Sequence, residues 1–218
     1  GKATPSGKLP MTWPVSIDDD PSTKNFPAHT EGMTINMMTM FKDAAKMATV
    51  KNFGYTNYDE GIYVGYRYYD TYNKTVSYPF GYGLSYTTFS YGKPTVKDEG
   101  KSISLAVTVT NAGNRPGKEV AEVYVRAPKG SEDKPVHELK AFAKTRELQP
   151  GESETLTMRI DKRDLASFYE KRSAWVVDAG TYTFGVGSSS RDIRGEAQLT
   201  VKKALTQRVH NVLRPKSK

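Results

Sequence analysis

At 218 residues, with 37% hydrophobic and 26% charged residues, 14 tyrosines and 8 phenylalanines, the chain is too apolar and aromatic for intrinsic disorder. It is long enough for one large domain or two small ones, and its lack of cysteine excludes disulfides, thiolate metal centres and a cysteine nucleophile. The net charge of +8 is interleaved with 24 acids, no nucleic-acid-binding motif accompanies it, and no apolar run reaches the roughly 18 residues of a membrane span, so neither a nucleic acid nor a membrane is expected as a partner.

Residues 1–90 are irregular and rich in Gly, Pro and Tyr, and the opening Gly1–Gly7 reads as a loop inside a longer polypeptide. Asp18, Asp19 and Asp20 precede Pro21 and are expected in an exposed turn. Over residues 34–48, Ile35, Met38, Phe41, Ala45 and Ala48 recur at helical spacing, which predicts a Met-rich amphipathic helix covering an adjacent core. Next comes a tyrosine-rich block in which Asp59, Glu60, Tyr66, Arg67 and Asp70 are the candidate site residues. Arg67 and Asp70 stand three apart, a spacing that on a helical turn makes them an ion pair. The residues are read as locks on a tyrosine-rich loop and not as groups that cleave a bond.

Between residues 91 and 203 the texture changes to short alternating runs. Ile103, Leu105, Val107 and Val109 share one face of a half-buried strand, and Asn111–Gly117 is a turn made of turn residues. Ala121, Val123 and Val125 alternate with Glu122, Tyr124 and Arg126 in the next strand. Further strands are expected over 139–148, 155–160, 173–177, 181–187 and 196–201, with a helical turn capped by Asp161 between the second and the third, over 161–169. Seven or eight strands with turns about every ten residues predict an antiparallel β-sandwich whose core rests on the aliphatics and on Trp175, Tyr182 and Phe184. Residues 204–218 read as a basic tail or linker.

No catalytic constellation stands out. His29, His137 and His210 lack metal-ligand spacing, and no GxSxG elbow or GxxxxGK[ST] loop is present, so neither a metal nor a cofactor is expected. Gly185-Val186-Gly187 lies inside a strand pattern and predicts close packing or a bulge.

Three blocks carry a resemblance. Thr4–Pro14, TPSGKLPMTWP, resembles the NPSGKLPxTxP segment of glycoside hydrolase family 3, with Thr4 where Asn is usual. Tyr58–Asp70 is similar to that family's Y-x-E-G-I-x-V-G-Y-R-x-x-D block, and Tyr78–Phe89 to its FPFGxGLSYTxF signature. The strands after residue 91 resemble the family's fibronectin-III-like domain. The resemblance covers about residues 1–203 and implies a mostly β chain: the C-terminal segment of an α/β-sandwich domain over 1–90, then a fibronectin-III-like (immunoglobulin-like) antiparallel β-sandwich over 91–203. The Met-rich stretch and the tail fall outside the family pattern.

In that family an α/β barrel supplies an aspartate nucleophile and the α/β sandwich an acid/base glutamate. No position here matches either motif, so the catalytic pair is expected outside this chain. The resemblance thus implies the C-terminal portion of a retaining β-glycosidase of the β-glucosidase type, acting on oligosaccharides, with this portion as scaffold. Its partners would be the α/β barrel and the rest of the α/β sandwich, and a periplasmic or extracellular setting is compatible with it. The alternative is a non-catalytic sandwich that binds carbohydrate or a partner through exposed aromatics, for which Tyr91, Tyr124, Tyr169 and Trp175 are the candidates.

Overall fold

A computed structural model describes residues 2–25, 58–130 and 132–210; the helix expected over 34–48 lies outside the described residues. The described elements in chain order are β1 (Trp13–Pro14), two 3-10 turns (Ile17–Asp19 and Pro21–Asn25), α1 (Tyr66–Thr71), β2 (Val76–Tyr78), β3 (Phe89–Tyr91), β4 (Thr95–Asp98) and β5 (Ser102–Asn111). They continue with β6 (Val120–Arg126), β7 (Glu138–Lys144), β8 (Ser153–Asp161), β9 (Ser167–Tyr169), β10 (Ala174–Val177), β11 (Gly180–Ser189), β12 (Asp192–Val201) and β13 (Leu205–Arg208).

Two antiparallel sheets form the sandwich. In the first, β5 pairs with β8 along one edge and with β3 and β4, placed end to end, along the other. The second has the order β12-β11-β6-β7. Alternation in sequence sends Ile103, Leu105, Val107 and Val109 of β5 and Leu156, Met158 and Ile160 of β8 inward. There they meet Ala121, Val123 and Val125 of β6 and Tyr182, Phe184 and Val186 of β11. Burying each large member contributes about 1.5–3 kcal/mol, which makes this the main source of stability. Asp161 caps the 3-10 turn Lys162–Leu165 by accepting from the Arg163 amide, as its position before the turn predicts. The β11–β12 ladder shifts register on either side of Gly187, where a Cβ would run into the Asp192 carbonyl, so this glycine marks a bulge with close backbone approach.

Three expectations change. Trp175 is not in the core: it is 41% exposed on β10, whose ladder partners are β9 and β13. Backbone pairing decides this, because Ala174 and Val176 take the buried face and alternation turns Trp175 outward. Residues 205–208, expected in a tail or linker, pair with β10 as a strand. On β6, Tyr124, a candidate exposed aromatic, is only 1% exposed, and Glu122, on the same face, is 5% exposed. Residues before β3 cover them.

Asn111 joins several turns. Its buried side-chain amide donates to the Arg115 and Leu148 carbonyls at 2.7 and 2.8 Å, and its Oδ1 accepts from Thr87 Oγ1 at 2.7 Å and from the Gly113 amide at 3.1 Å. Replacing it with alanine strands these groups away from water. Asn111→Ala is expected to lower stability by about 3 kcal/mol, seen as a reduced urea midpoint with an unchanged m-value.

Candidate functional site

The tyrosine-rich block meets the sandwich on the outer face of β6 and β7. α1 starts after Gly65, and the Tyr66 ring reaches Phe80 and Tyr124 at centroid distances of 5.0 and 5.9 Å. Its hydroxyl accepts the Leu139 amide at 2.8 Å, and Thr71 Oγ1 accepts the Val136 amide at 3.0 Å, so α1 holds the start of β7 by its backbone.

Asp70 is the polar centre. Its Oδ1 accepts from Arg191 Nε at 2.6 Å, and its Oδ2 lies 3.2 Å from His137 Nε2. Arg191, from the turn between β11 and β12, also donates to the Tyr69 and Lys74 carbonyls at 3.0 and 2.8 Å, satisfying groups at the end of α1. Burial alone pushes the Asp70 carboxyl up; the hydrogen bonds from His137 and Arg191 outweigh it and hold the group below the usual carboxylate range.

The ion pair expected between Arg67 and Asp70 is not formed. Asp70 turns into the sandwich toward Arg191 and His137, while Arg67 reaches Glu138 of β7 at 3.7 Å. Asp59 accepts from Asn25 at 3.0 Å in the turn before α1, and Glu60 leaves Oε2 buried without a hydrogen-bond partner among the described residues. Tyr66, Arg67 and Asp70 are thus gathered at the sandwich, and Asp59 and Glu60 stay in the preceding turn.

Sequence reading missed the groups that receive this block. Glu122 Oε2 accepts the Tyr124 hydroxyl at 2.6 Å, and burial pushes the Glu122 carboxyl up and the Tyr124 phenol well above its usual value. Gly81 lies over that carboxylate at φ +82°, a conformation suited to glycine, and a Cβ there would collide with Glu122 Oε2. Lys8 pairs with Glu119 at 2.9 Å and donates to the Ser188 carbonyl at 3.0 Å. The signal available in sequence was Gly81 itself; nothing local marks Glu122 as buried.

A cavity of about 450 Å³ opens beside these contacts, lined in part by Lys8, Gly83, Glu119, Ser188, Asp192 and Arg194. Its carboxylates are engaged: Glu119 by Lys8 and Asp192 by Arg194 at 2.7 Å, which keeps the Asp192 carboxyl below its usual value. Groups held this way lock segments together. Among the described residues no cluster of three or more His, Asp or Glu side chains is arranged to hold a metal ion.

A family model described as "Fibronectin type III-like domain" matches residues 119–190. Among relatives, the exo-α-(1→6)-L-arabinopyranosidase of Bifidobacterium longum is 41% identical over 194 residues, a match spanning 88% of this chain and 22% of that enzyme. β-Glucosidase A of Butyrivibrio fibrisolvens is 39% identical over 216 residues, spanning 89% of this chain and 23% of that enzyme. Among solved structures, β-glucosidase 3B from Thermotoga neapolitana in complex with α-D-glucose superposes with a TM-score of 0.82 at 44% identity, covering 96% of this chain and 26% of that one. The chain therefore spans about a quarter of the length of the proteins it matches.

The Asp70 contacts have a pH consequence. An acid whose folded value is lowered adds stability that is present above its unfolded value, about 4, and is lost as pH falls through the folded value. Between about pH 5 and 3 the parent chain should lose more stability than Asp70→Asn, as read from urea midpoints across that range.

Proposed function

Because the chain belongs to glycoside hydrolase family 3, as a portion carrying the fibronectin type III-like domain of its β-glucosidases, we propose that it braces the catalytic domains of a β-glycosidase while residues elsewhere in that enzyme perform the chemistry. The reaction would be hydrolysis of a terminal β-linked sugar with retention, through a carboxylate nucleophile and a second carboxyl acting as acid and then base.

One observation carries this reading. Most of the exposed large apolar side chains among the described residues lie before residue 90, including Met11, Trp13, Ile17, Tyr58, Leu84 and Tyr86. The sandwich, by contrast, buries its aliphatics in a closed core. In the same segment the Thr12 and Tyr69 hydroxyls are buried without a hydrogen-bond partner among the described residues. A surface with apolar side chains outward is characteristic of one that docks on another domain. The segment is fastened to the sandwich by Tyr66, Asp70 and Lys8, and its exposed apolar side chains are the surface offered to the catalytic domains.

Relatives that share this portion are named for different activities, an exo-α-(1→6)-L-arabinopyranosidase and a β-glucosidase. That supports a bracing role, with the choice of sugar made elsewhere.

An aryl β-glucoside incubated with the 218-residue chain alone is expected to stay intact; clear turnover would overturn the reading. The apolar face should bind an environment-sensitive dye such as ANS, and Ile17→Ser with Leu84→Ser should cut that fluorescence by about a third or more without altering near-UV circular dichroism.

A further inference from the structure

We infer that the outer face of the small sheet β9-β10-β13 is a binding surface for acidic polysaccharide, a chain of pyranose rings bearing carboxylates. In antiparallel ladders, directly opposed residues point to the same face. Trp175 pairs with Phe168 on one side and Gln207 on the other, so the three form a single row across the sheet. The opposite face carries Tyr169, Ala174 and Val176, which are buried together, so the row is turned outward. Trp175 is 41% and Phe168 40% exposed, and Gln207 is exposed beside them.

The chemistry of the row selects the ligand. The two rings lie 5.3 Å apart at an interplanar angle of 56°, so they form no flat platform for a crystalline surface. Two tilted rings suit successive units of a single, twisted chain, each stacking one apolar sugar face. Gln207 adds an amide donor and acceptor at the row's end, which suits hydroxyl groups.

The charge at the ends of the sheet is mainly basic, with Asp164 exposed before β9 and Asp178 after β10 paired with Lys134. Lys171 and Arg172 occupy the 3-10 turn between β9 and β10, with Arg208 at the same end of the sheet. Lys202 and Lys203 lie at the other end, just before β13. All five are exposed and none forms an ion pair with a described residue; Arg172, over the Tyr169 ring at 5.2 Å, and Arg208, opposite Ala174, go with the other face, which leaves Lys171, Lys202 and Lys203 as the cations for the row. Glu170 is the single acid of that turn. Lysines at the two ends of the sheet flank the aromatic row on either side and complement a chain that carries a carboxylate on each ring. Stacking fixes the pyranose and the cations select for charge; a neutral glucan would use only the first contribution.

The test is affinity of the full 218-residue chain for polygalacturonate, for the neutral β-glucan laminarin and for a single-stranded oligonucleotide, by affinity electrophoresis and calorimetry over a range of salt. The expected result is binding to polygalacturonate that weakens with salt, with laminarin bound at least tenfold more weakly. Trp175→Ala should weaken polygalacturonate binding about tenfold or more, and Lys202→Gln with Lys203→Gln should weaken it and flatten the salt dependence. Near-UV circular dichroism checks that each variant folds; should Trp175→Ala unfold, Gln207→Ala, at an exposed edge position, replaces it with an expected loss of about threefold. The proposal fails if the Trp175 or Gln207 variant binds as the parent does, since binding would then rest on charge alone. It fails equally if laminarin binds as tightly, if the oligonucleotide binds more tightly, or if polygalacturonate does not bind. The measurement involves no hydrolysis, so each of these outcomes leaves the bracing role standing.

Discussion

The rest of the structure depends on keeping the outer face of β6 dry. A strand in a two-layer sandwich ordinarily turns every second side chain to water. Here both faces of β6 are enclosed, and the outward one holds a carboxyl and a phenol joined by a hydrogen bond, Glu122 to Tyr124. A carboxyl removed from water is costly to ionise, and the upward displacement of Glu122 reflects that cost. The arrangement persists only if residues packed over it exclude solvent, and Gly81 and the Tyr66 ring provide that cover.

The dependence runs both ways. The segment before β3 has little apolar core of its own; its only buried large hydrophobic before β3 among the described residues is Tyr69. Its fixed points lie on the sandwich: Lys8 on Glu119, the Gly81 loop on Glu122, Asp70 on Arg191 and His137, and Thr87 on Asn111. Several of these are charge-assisted and partly buried, which makes them specific in geometry and sensitive to loss of either partner. The described residues of the segment thus pack on one sheet, held by polar locks around an aromatic centre, with several large apolar side chains left exposed.

The sandwich was legible in the sequence because its signal is local. Alternation over β5, β8 and β12 and the turn residues between strands state which face is buried and where the chain reverses. What failed was whatever depended on a distant segment. Glu122 and Tyr124 obey the alternation of a half-exposed strand and are buried only because residues far earlier in the chain lie on them. Trp175 looked like core on account of its size, but ladder pairing fixed its direction. Arg67 and Asp70 had the spacing of a helical ion pair; partners on β7 and on the turn before β12 offered each a better contact. The motif blocks located the segment that does the locking, while the residues that receive it, Glu122, His137 and Arg191, carried no local mark.

The end-to-end placement of β3 and β4 along one edge of β5 also bears on how the molecule behaves at high concentration. A long, unbroken outer strand offers a row of free amides and carbonyls to which another polypeptide can add itself. Here that row is interrupted by Gly92-Lys93-Pro94, and Pro94 has no amide hydrogen to donate. Neither fragment exceeds four residues, and Lys97 places a charge on the second. The break keeps this edge of the sheet from serving as a template for aggregation.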